Sequence, residues 1–318
     1  MFKIGIIEKI HEDGLKYLDT NKNFNYEIIT DISKENLIKE LPKFDALTLR
    51  VSRLDADILS KCKKLKVISR HGVGYDNIDT EFLKKNNITL LITAKANAVA
   101  VAEHVMYMIL SLSKGITKYD NAVRSGTFKK EISHILTYEL YKKEILIAGF
   151  GRIGKSLIKR CLGFEMIVKV YDPFVDKKTV EEYGGLKIDD ISNGIESFDY
   201  LSIHMPLNEK TKNLININFL KKMKKSAIII NTARGGIINE FDLDIALKKN
   251  IIFGAGLDVF EKEPIQNDNP LLKNDKVLMS PHTATFTKEC TSRMGIETTK
   301  NIVDFFEKKI NPSMIVKL

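Results

Sequence analysis

The stretch GFGRIGK, residues 149–155, carries Gly149, Gly151 and Gly154 and lies between two different sequence patterns. The residues leading into it, KEILIAG, are apolar and typical of a β-strand, whereas KSLIKRCLGF after it repeats apolar side chains at helical spacing. The stretch therefore predicts a strand, a tight glycine turn and a helix. Such a turn can hold a pyrophosphate group at the N-terminal end of the helix. Because 148 residues precede it, we expect another domain before this one.

The composition is that of a globular chain with a sizeable core. Its 318 residues suggest two domains of about 150 residues each, and 44% of them are hydrophobic. The N-terminus MFKIGIIEKI is too short and too charged for a signal peptide, and no apolar run reaches the roughly 18 residues of a membrane span. Cys62, Cys161 and Cys290 are scattered without metal-ligand spacing. We therefore expect a cytoplasmic protein with reduced thiols, no bound metal and no membrane partner.

The formal net charge of +9 raises the question of a nucleic-acid partner. The lysines are spread over the whole length, and no basic stripe interleaved with aromatic residues stands out. We therefore expect no nucleic-acid binding. One interpretation of the charge is a positive potential that attracts an anionic substrate and cofactor. The alternative is a composition merely rich in lysine, asparagine and isoleucine.

Strands and helices alternate in two series along the chain. The predicted strands are 2–8, 26–30, 45–49, 66–70 and 88–92 in the first series, and 144–150, 166–172, 200–206, 226–232, 253–260 and 276–281 in the second. Short apolar strands separated by helices predict an α/β fold with two doubly wound parallel-sheet domains. Helices are predicted over 97–114, leading into the second domain, and over 288–309, returning to the first.

These elements predict the domain boundaries. Residues 1–97 and 288–318 would form the first domain, and residues 98–287 the second. The chain then crosses twice between the domains, and we expect a ligand site in the cleft where they meet.

An acidic residue strengthens the prediction of a dinucleotide site. The strand after the glycine turn ends in VYDPF, which places Asp172 18 residues after Gly154. A carboxylate there accepts hydrogen bonds from an adenosine ribose and repels the 2′-phosphate of NADP, so NAD is the predicted cofactor. The alternative is that Asp172 only caps the end of a strand.

Three titratable or charged residues follow apolar strands of the second series. Arg234 lies in INTARGGIINE, Glu263 in AGLDVFEKEP and His282 in MSPHTA. Each has a simpler interpretation: Arg234 as a helix cap or surface ion pair, Glu263 as a solvated carboxylate and His282 as a loop histidine. Because ligands of doubly wound sheets bind outside the carboxyl ends of the strands, the three together predict catalytic residues beside the cofactor.

The motifs of this chain resemble those of a known family. They are RHGVGYDNID (70–79), NAVAVAEH (97–104), GFGRIGK, YDP, HMPLNEKT (204–211), NTARGG (231–236), GLDVFEKEP (256–264) and SPHTA (280–284). In this order, over nearly the whole chain, they resemble the D-isomer-specific 2-hydroxyacid dehydrogenases, which include D-3-phosphoglycerate dehydrogenase, D-lactate dehydrogenase and hydroxypyruvate or glyoxylate reductase. The resemblance implies a central Rossmann NAD domain inserted in a flavodoxin-like substrate domain.

The resemblance also implies roles for single residues. Arg234 would hold the substrate's carboxylate and carbonyl oxygen, His282 would be the acid–base, and Glu263, rather than Glu261, would be its partner. The implied cofactor residues are Gly149, Gly151, Arg152, Ile153, Gly154, Asp172, His204, Pro206, Thr232, Ala233 and Asp258, the last bonding the nicotinamide carboxamide. The implied substrate residues are Ser52, Val73, Gly74 and Asn97.

The predicted function is hydride transfer between NAD(H) and C2 of a D-2-hydroxy acid or 2-oxo acid. The three arginines Arg50, Arg53 and Arg70 have two interpretations: they bind a second anionic group of the substrate, or they lie on the surface. Phosphoglycerate, hydroxypyruvate and glyoxylate therefore all remain candidate substrates. The alternative is a non-catalytic NAD(H)-sensing protein, which the intact catalytic set disfavours. Formate dehydrogenase is disfavoured because that branch has glutamine in place of Glu263, and an L-specific lactate dehydrogenase because its glycine turn lies near the N-terminus.

Two further features bear on the resemblance. The sequence has PHTAT at 281–285 where many members have PHIGG or PHIAG, so the wall beside the nicotinamide differs. The chain ends soon after the predicted last helix, so we expect no regulatory amino-acid-binding domain of the kind found on longer phosphoglycerate dehydrogenases.

The helix NAVAVAEHVMYMILSLSKGI is apolar around more of its circumference than a helix with one buried face requires. Family members commonly dimerise through the cofactor domain with this helix at the interface, so we expect a homodimer. The alternative is a helix buried between the two domains of one chain.

Overall fold

The computed structural model describes residues 1–127 and 137–318, which form twelve β-strands and eleven α-helices. The strands are β1 Phe2–Ile7, β2 Phe24–Ile29, β3 Ala46–Leu49, β4 Val67–Arg70, β5 Thr89–Ile92, β6 Glu144–Ala148, β7 Ile167–Tyr171, β8 Leu186–Ile188, β9 Tyr200–Ile203, β10 Ile228–Asn231, β11 Gly254–Leu257 and β12 Val277–Met279. The helices are α1 Glu12–Asp19, α2 Lys34–Glu40, α3 Ala56–Lys61, α4 Thr80–Lys85, α5 Ala98–Lys114, α6 Ile116–Arg124, α7 Arg152–Gly163, α8 Lys177–Glu182, α9 Ile217–Leu220, α10 Glu240–Lys248 and α11 Lys288–Phe306.

The chain divides into two compact units. Unit 1 comprises Met1–Asn97 and Thr285–Leu318, and unit 2 comprises Ala98–Ala284. The second change of unit falls three residues before the predicted position of 287/288. Ala284 is still tied to unit 2, because its N–H donates to the Asp258 carboxylate at 3.0 Å.

Unit 1 is built on a five-stranded parallel sheet of order β2-β1-β3-β4-β5. This is the flavodoxin-like strand order. Buried aliphatic side chains form an apolar cluster on each face, because the strands of such a sheet are covered on both sides. Helix α11 packs against β3, β4 and α1.

Unit 2 is built on a seven-stranded parallel sheet of order β12-β11-β10-β9-β6-β7-β8. Counted within the unit, this is the Rossmann order 3-2-1-4-5-6 with a seventh strand added, so the predicted α/β fold class is confirmed. Every strand predicted from the sequence is present. The sequence missed β8, because its three residues, LKI, are too short and too exposed to give an alternating pattern.

More than half of helix α5 is buried. Nine of its 17 residues are buried, and it packs against α7 and against β10 and β11. Among the described residues, no single helix is long and apolar enough to span a membrane; α5 and α6 pass that test only as a pair bent by 60°.

Candidate active site

The predicted catalytic and cofactor residues lie at the carboxyl edge of the sheet of unit 2. Following the order of the strands in space, they are Asp172 after β7, the glycine turn after β6, His204 after β9, Arg234 after β10, Asp258 after β11 and His282 after β12. The chain winds in opposite directions from β6, so the crevice of a doubly wound sheet opens between β6 and β9. Asp172 thus lies on one side of this crevice, and Arg234, Asp258 and His282 lie on the other.

The turn between β6 and α7 has the geometry of a phosphate site. Gly149 has φ = +104°, which favours glycine, and a Cβ there would lie 2.6 Å from the carbonyl oxygen of His204. A Cβ on Gly151 would meet nothing within 4 Å, so the space in front of the helix is open. The N–H groups of the first turn of α7, at Arg152 and Ile153, have no acceptor within the helix. These features fit the pyrophosphate of a dinucleotide.

Asp172 is held at the end of β7 by the backbone around it. Its Oδ2 accepts the N–H of Phe150 at 2.7 Å, and its Oδ1 accepts the N–H of Phe174 at 2.8 Å. An ionised carboxylate has about four acceptor positions, so acceptor capacity remains for the two hydroxyls of a ribose.

Two buried polar atoms lie further along the same edge. His204 Nδ1 and Thr232 Oγ1 have no hydrogen-bond partner among the described residues. Burial lowers the pKa of His204 to about 4, so its imidazole is neutral near pH 7, and its Nε2 lies 2.8 Å from Ser202 Oγ. Pro206 is exposed, and its carbonyl accepts the Thr211 hydroxyl at 2.7 Å. Polar groups without partners at this edge fit a polar ligand such as a nucleoside.

The structure joins His282 and Glu263 directly. His282 Nδ1 lies 2.7 Å from Glu263 Oε2, and Glu263 Oε1 accepts the N–H of Phe260 at 3.0 Å. The carboxylate can only accept, so His282 Nδ1 carries the proton in this bond and Nε2 is the nitrogen left for chemistry. Both side chains remain partly exposed to solvent.

Arg234 lies close enough to this pair to act on it electrostatically. Burial tends to raise the pKa of Glu263, but the hydrogen bonds from His282 and Phe260, together with the Arg234 charge, hold that pKa below its usual value. Gly235 makes the approach possible, since a Cβ there would collide with the carbonyl of Phe260. The loops after β10, β11 and β12 therefore bring a guanidinium, a carboxylate and an imidazole together.

The Asp258 carboxylate is buried at the end of β11. Only 1% of the residue is exposed, and its carboxylate accepts the Ser280 hydroxyl and the N–H groups of Thr283 and Ala284 at 2.6, 2.8 and 3.0 Å. The side chain thus binds the loop that carries His282. A contact between Asp258 and a nicotinamide carboxamide stays a prediction.

The predicted substrate residues all lie in unit 1. Ser52 is buried, and its Oγ has no hydrogen-bond partner among the described residues. Val73 and Gly74 follow β4 in an irregular segment, and Asn97 is the buried residue before α5. Their role in binding a substrate stays a prediction.

Two residues that support the site were missed from the sequence. Ser280 bonds Asp258, as described above, and Glu240, buried at the start of α10, accepts the N–H of Glu261 at 2.6 Å and so fixes the loop before Glu263. Ser280 stood in the quoted SPHTA motif, but nothing in the motif showed that its hydroxyl faces a carboxylate.

Residues 106–284 match the family model described as D-isomer specific 2-hydroxyacid dehydrogenase, NAD binding domain. The chain belongs to the D-isomer specific 2-hydroxyacid dehydrogenases. The matched residues fall within unit 2, so unit 2 is the NAD-binding domain of this family member.

Similar proteins span the whole chain. It is 36% identical to D-3-phosphoglycerate dehydrogenase of Archaeoglobus fulgidus over 95% of its own length but only 57% of the relative's. It is also 36% identical to glyoxylate reductase of Thermococcus litoralis, covering 99% of this chain and 97% of that one. A solved structure of D-lactate dehydrogenase from Aquifex aeolicus, complexed with NAD and lactic acid, superposes with a TM-score of 0.84 at 28% identity over 96% of both chains.

Asp172 generates a prediction about cofactor choice. A 2′-phosphate about 4 Å from its carboxylate would be repelled by roughly 1–4 kcal/mol, which corresponds to a loss of affinity of about fivefold or more. We expect NADH to bind that much more tightly than NADPH when both are titrated by nicotinamide fluorescence. Asp172→Ser should narrow the gap, whereas Asp189→Asn, at the end of the neighbouring β8, should leave it unchanged. Equal affinities in the unaltered protein would show that Asp172 does not face the 2′ position.

Proposed function

We propose that this protein is an NAD-dependent oxidoreductase that transfers a hydride between NAD(H) and C2 of a D-2-hydroxy acid or 2-oxo acid. The observation that carries the proposal is the pair His282–Glu263, joined at 2.7 Å at the edge where the NAD-binding domain presents its cofactor residues. Binding a dinucleotide without turnover does not require an imidazole paired to a carboxylate. The glyoxylate reductases and D-lactate dehydrogenase to which the chain is similar support the same activity.

The residues of the chain divide the chemistry among them. NADH, when bound, would supply the hydride for C2, and His282 supplies from Nε2 the proton that the substrate oxygen takes up. Glu263 accepts the Nδ1–H, fixes the ring orientation and stabilises the imidazolium. Arg234 offsets the negative charge that develops on the substrate oxygen and binds the substrate's carboxylate through two N–H donors of its guanidinium. In the reverse direction neutral His282 takes up the proton from the hydroxyl.

A second anionic group on the substrate is favoured by the charges of unit 1. Burial, together with the charges of the nearby Arg50 and Arg70, lowers the pKa of His71 to about 3, so two guanidinium groups lie near this imidazole after β3 and β4. Arg50 donates to the Lys9 carbonyl at 2.9 Å and Arg70 to the His71 carbonyl at 2.8 Å. A guanidinium has five N–H donors, so Arg50 keeps donors for a ligand.

The substrate is identified by a panel of 2-oxo acids scored by NADH oxidation. The panel contains glyoxylate, pyruvate, hydroxypyruvate and its 3-phosphate. A preference for the phosphorylated acid would support the second anionic group, and a preference for glyoxylate would reject it. The alternative function, NAD(H) sensing without turnover, is supported if NADH binds but no acid is reduced.

The first prediction tests the acid–base residue. We expect His282→Ala to lower the rate of 2-oxo acid reduction by roughly 10²-fold or more, because the oxygen loses its general acid. NADH binding, followed by fluorescence, should be retained. Turnover close to that of the unaltered enzyme would remove His282 from the mechanism.

The second prediction tests the carboxylate beside it. Glu263 accepts two hydrogen bonds, from His282 and from the Phe260 N–H, whereas a glutamine offers one oxygen and would turn its NH₂ toward one of these donors. We expect Glu263→Gln to lower kcat by roughly tenfold, the equivalent of about 1.4 kcal/mol. The matched control is Glu261→Gln, two residues earlier in the same loop, which should leave kcat unchanged. Equal losses in both variants would refute the assignment.

We also propose that the protein is a cytoplasmic homodimer. The three cysteines are buried free thiols, as expected in a reducing compartment. Helix α5 exposes Val99 and Tyr107, and between α5 and α7 lies a groove of about 570 Å³ lined in part by Met106, Leu110 and the half-exposed Phe164. Two-fold association would bury this same surface on both chains.

The dimer has a direct test. Light scattering at micromolar concentration should give about twice the chain mass of 36.2 kDa. Tyr107→Glu places a charge in the apolar surface and should shift the mass toward one chain, whereas Ile167→Glu, on β7, should not. A stable, active monomer would contradict the proposal.

A further inference from the structure

A buried chain of hydrogen bonds joins helix α5 to the loop that carries His282. His104 Nε2 lies 2.9 Å from Ser280 Oγ, and Ser280 Oγ lies 2.6 Å from Asp258 Oδ1. Only 17% of the His104 side chain and 1% of the Asp258 side chain are exposed. All three residues belong to unit 2, and the proposed mechanism uses neither His104 nor Ser280.

This chain of hydrogen bonds ends at Asp258, which holds the His282 loop through both its side chain and its main chain. The Asp258 carboxylate accepts the N–H groups of Thr283 and Ala284, just after His282. The main-chain oxygen of Asp258 accepts the N–H of His282 itself at 2.8 Å. A turn or shift of this carboxylate would therefore move the backbone that presents the imidazole.

The directions of the hydrogen bonds follow from the chemistry of the groups. An ionised carboxylate only accepts, so the single hydroxyl hydrogen of Ser280 points at Asp258. Ser280 Oγ must then accept from His104, which requires a hydrogen on Nε2 of that ring. Burial lowers the pKa of His104, although the Asp258 charge acts in the opposite direction, so the ring is the neutral Nε2–H tautomer near pH 7. His104 is thus the donor that holds the Ser280 hydroxyl in its orientation.

The position of His104 is fixed by packing. Met108, one helical turn later, lies on β11 at Gly256, where an added Cβ would come within 3.0 Å of the Met108 sulfur. Helix α5 therefore lies close to the strand that ends at Asp258. The Tyr107 ring lies 5.6 Å from the imidazole, centre to centre.

We propose that His104 is a positioning residue for the acid–base loop: it donates its Nε2–H to Ser280, orients that hydroxyl onto Asp258 and so holds His282 in place for proton transfer. The catalytic consequence rests on the proposed dehydrogenase function, but the effect on the loop does not. A residue that only fills space at this point would be replaced equally well by any side chain of similar volume.

The first experiment separates donation from packing. His104→Leu keeps the volume and removes the N–H, whereas His104→Gln keeps an N–H donor. We expect the leucine variant to lower kcat by roughly tenfold, the equivalent of one lost buried hydrogen bond, with the KM for NADH within about twofold. The glutamine variant should recover most of this loss. Equal kcat values in the two variants, or a loss confined to KM, would overturn the proposal.

A double variant tests whether His104 acts through Ser280. Ser280→Ala removes the hydroxyl, so adding His104→Leu to it should cause no further fall in kcat. Independent, multiplied losses would show that His104 acts by another route. Ser280→Ala also serves if the leucine variant does not fold, because the hydroxyl is lost without any change in α5.

Amide hydrogen exchange gives a readout that needs no turnover. In the unaltered protein the N–H groups of Thr283 and Ala284 should exchange slowly, and His104→Leu and Ser280→Ala should speed their exchange by roughly tenfold, while the amides of β6 keep their rates. Unchanged exchange at these two amides would overturn the proposal. If the unaltered protein reduces no 2-oxo acid, the proposed function fails, and the exchange rates still decide the role of His104.

Discussion

The parallel pairing of β6 with both β7 and β9 is the constraint on which unit 2 depends. The chain leaves β6 toward β7 and β8 on one side and returns on the other to build β9 to β12. The chain segments that follow β6 and β9 diverge at the carboxyl edge of the sheet. Only a glycine fits at position 149, because a Cβ there would lie 2.6 Å from the His204 carbonyl oxygen. A dinucleotide-sized crevice is a consequence of winding a sheet in two directions from one strand.

A second constraint is the buried carboxylate at the end of β11. An ionised group almost fully removed from water is tolerated only when donors surround it, and Asp258 obtains them from the loop after β12. Satisfying this charge therefore dictates the path of residues 280–284 and leaves His282 in the left-handed region, with φ = +53°. The requirement of the Asp258 carboxylate for hydrogen-bond donors thus determines the backbone conformation at His282.

Much of this could be predicted from the sequence, because it depends on local patterns. The strand–glycine–helix pattern, the acidic residue at the end of β7 and the charged residues after β10, β11 and β12 each occupy a few consecutive positions, and parallel strands bring such positions to one edge. The pairing of His282 with Glu263 rather than Glu261 came only through the resemblance to a family.

The rest depends on contacts between distant positions. Strand β8 is defined by pairing with β7 rather than by its own three residues. Ala284 is tied to unit 2 by a hydrogen bond to residue 258, and the hydrogen-bond chain His104–Ser280–Asp258 joins positions up to 176 residues apart. Periodicity placed His104 on a helix but gave no information about which strand end that helix would cover.

The split construction of unit 1 affects how the chain is made. Ile302 and Val303 of α11 complete the apolar cluster over β1 and β3, and Phe306 stacks on Phe2 with ring centres 3.9 Å apart. At about 5–20 residues per second, the ribosome spends roughly 10–40 s on the intervening unit 2. For that time the nascent N-terminal sheet has an uncovered apolar face. The described strands of unit 2 all come from one continuous segment, so its sheet is complete once that segment is synthesised. The order of synthesis therefore favours the cofactor domain as the first part to fold and leaves the early sheet incomplete until α11 is made.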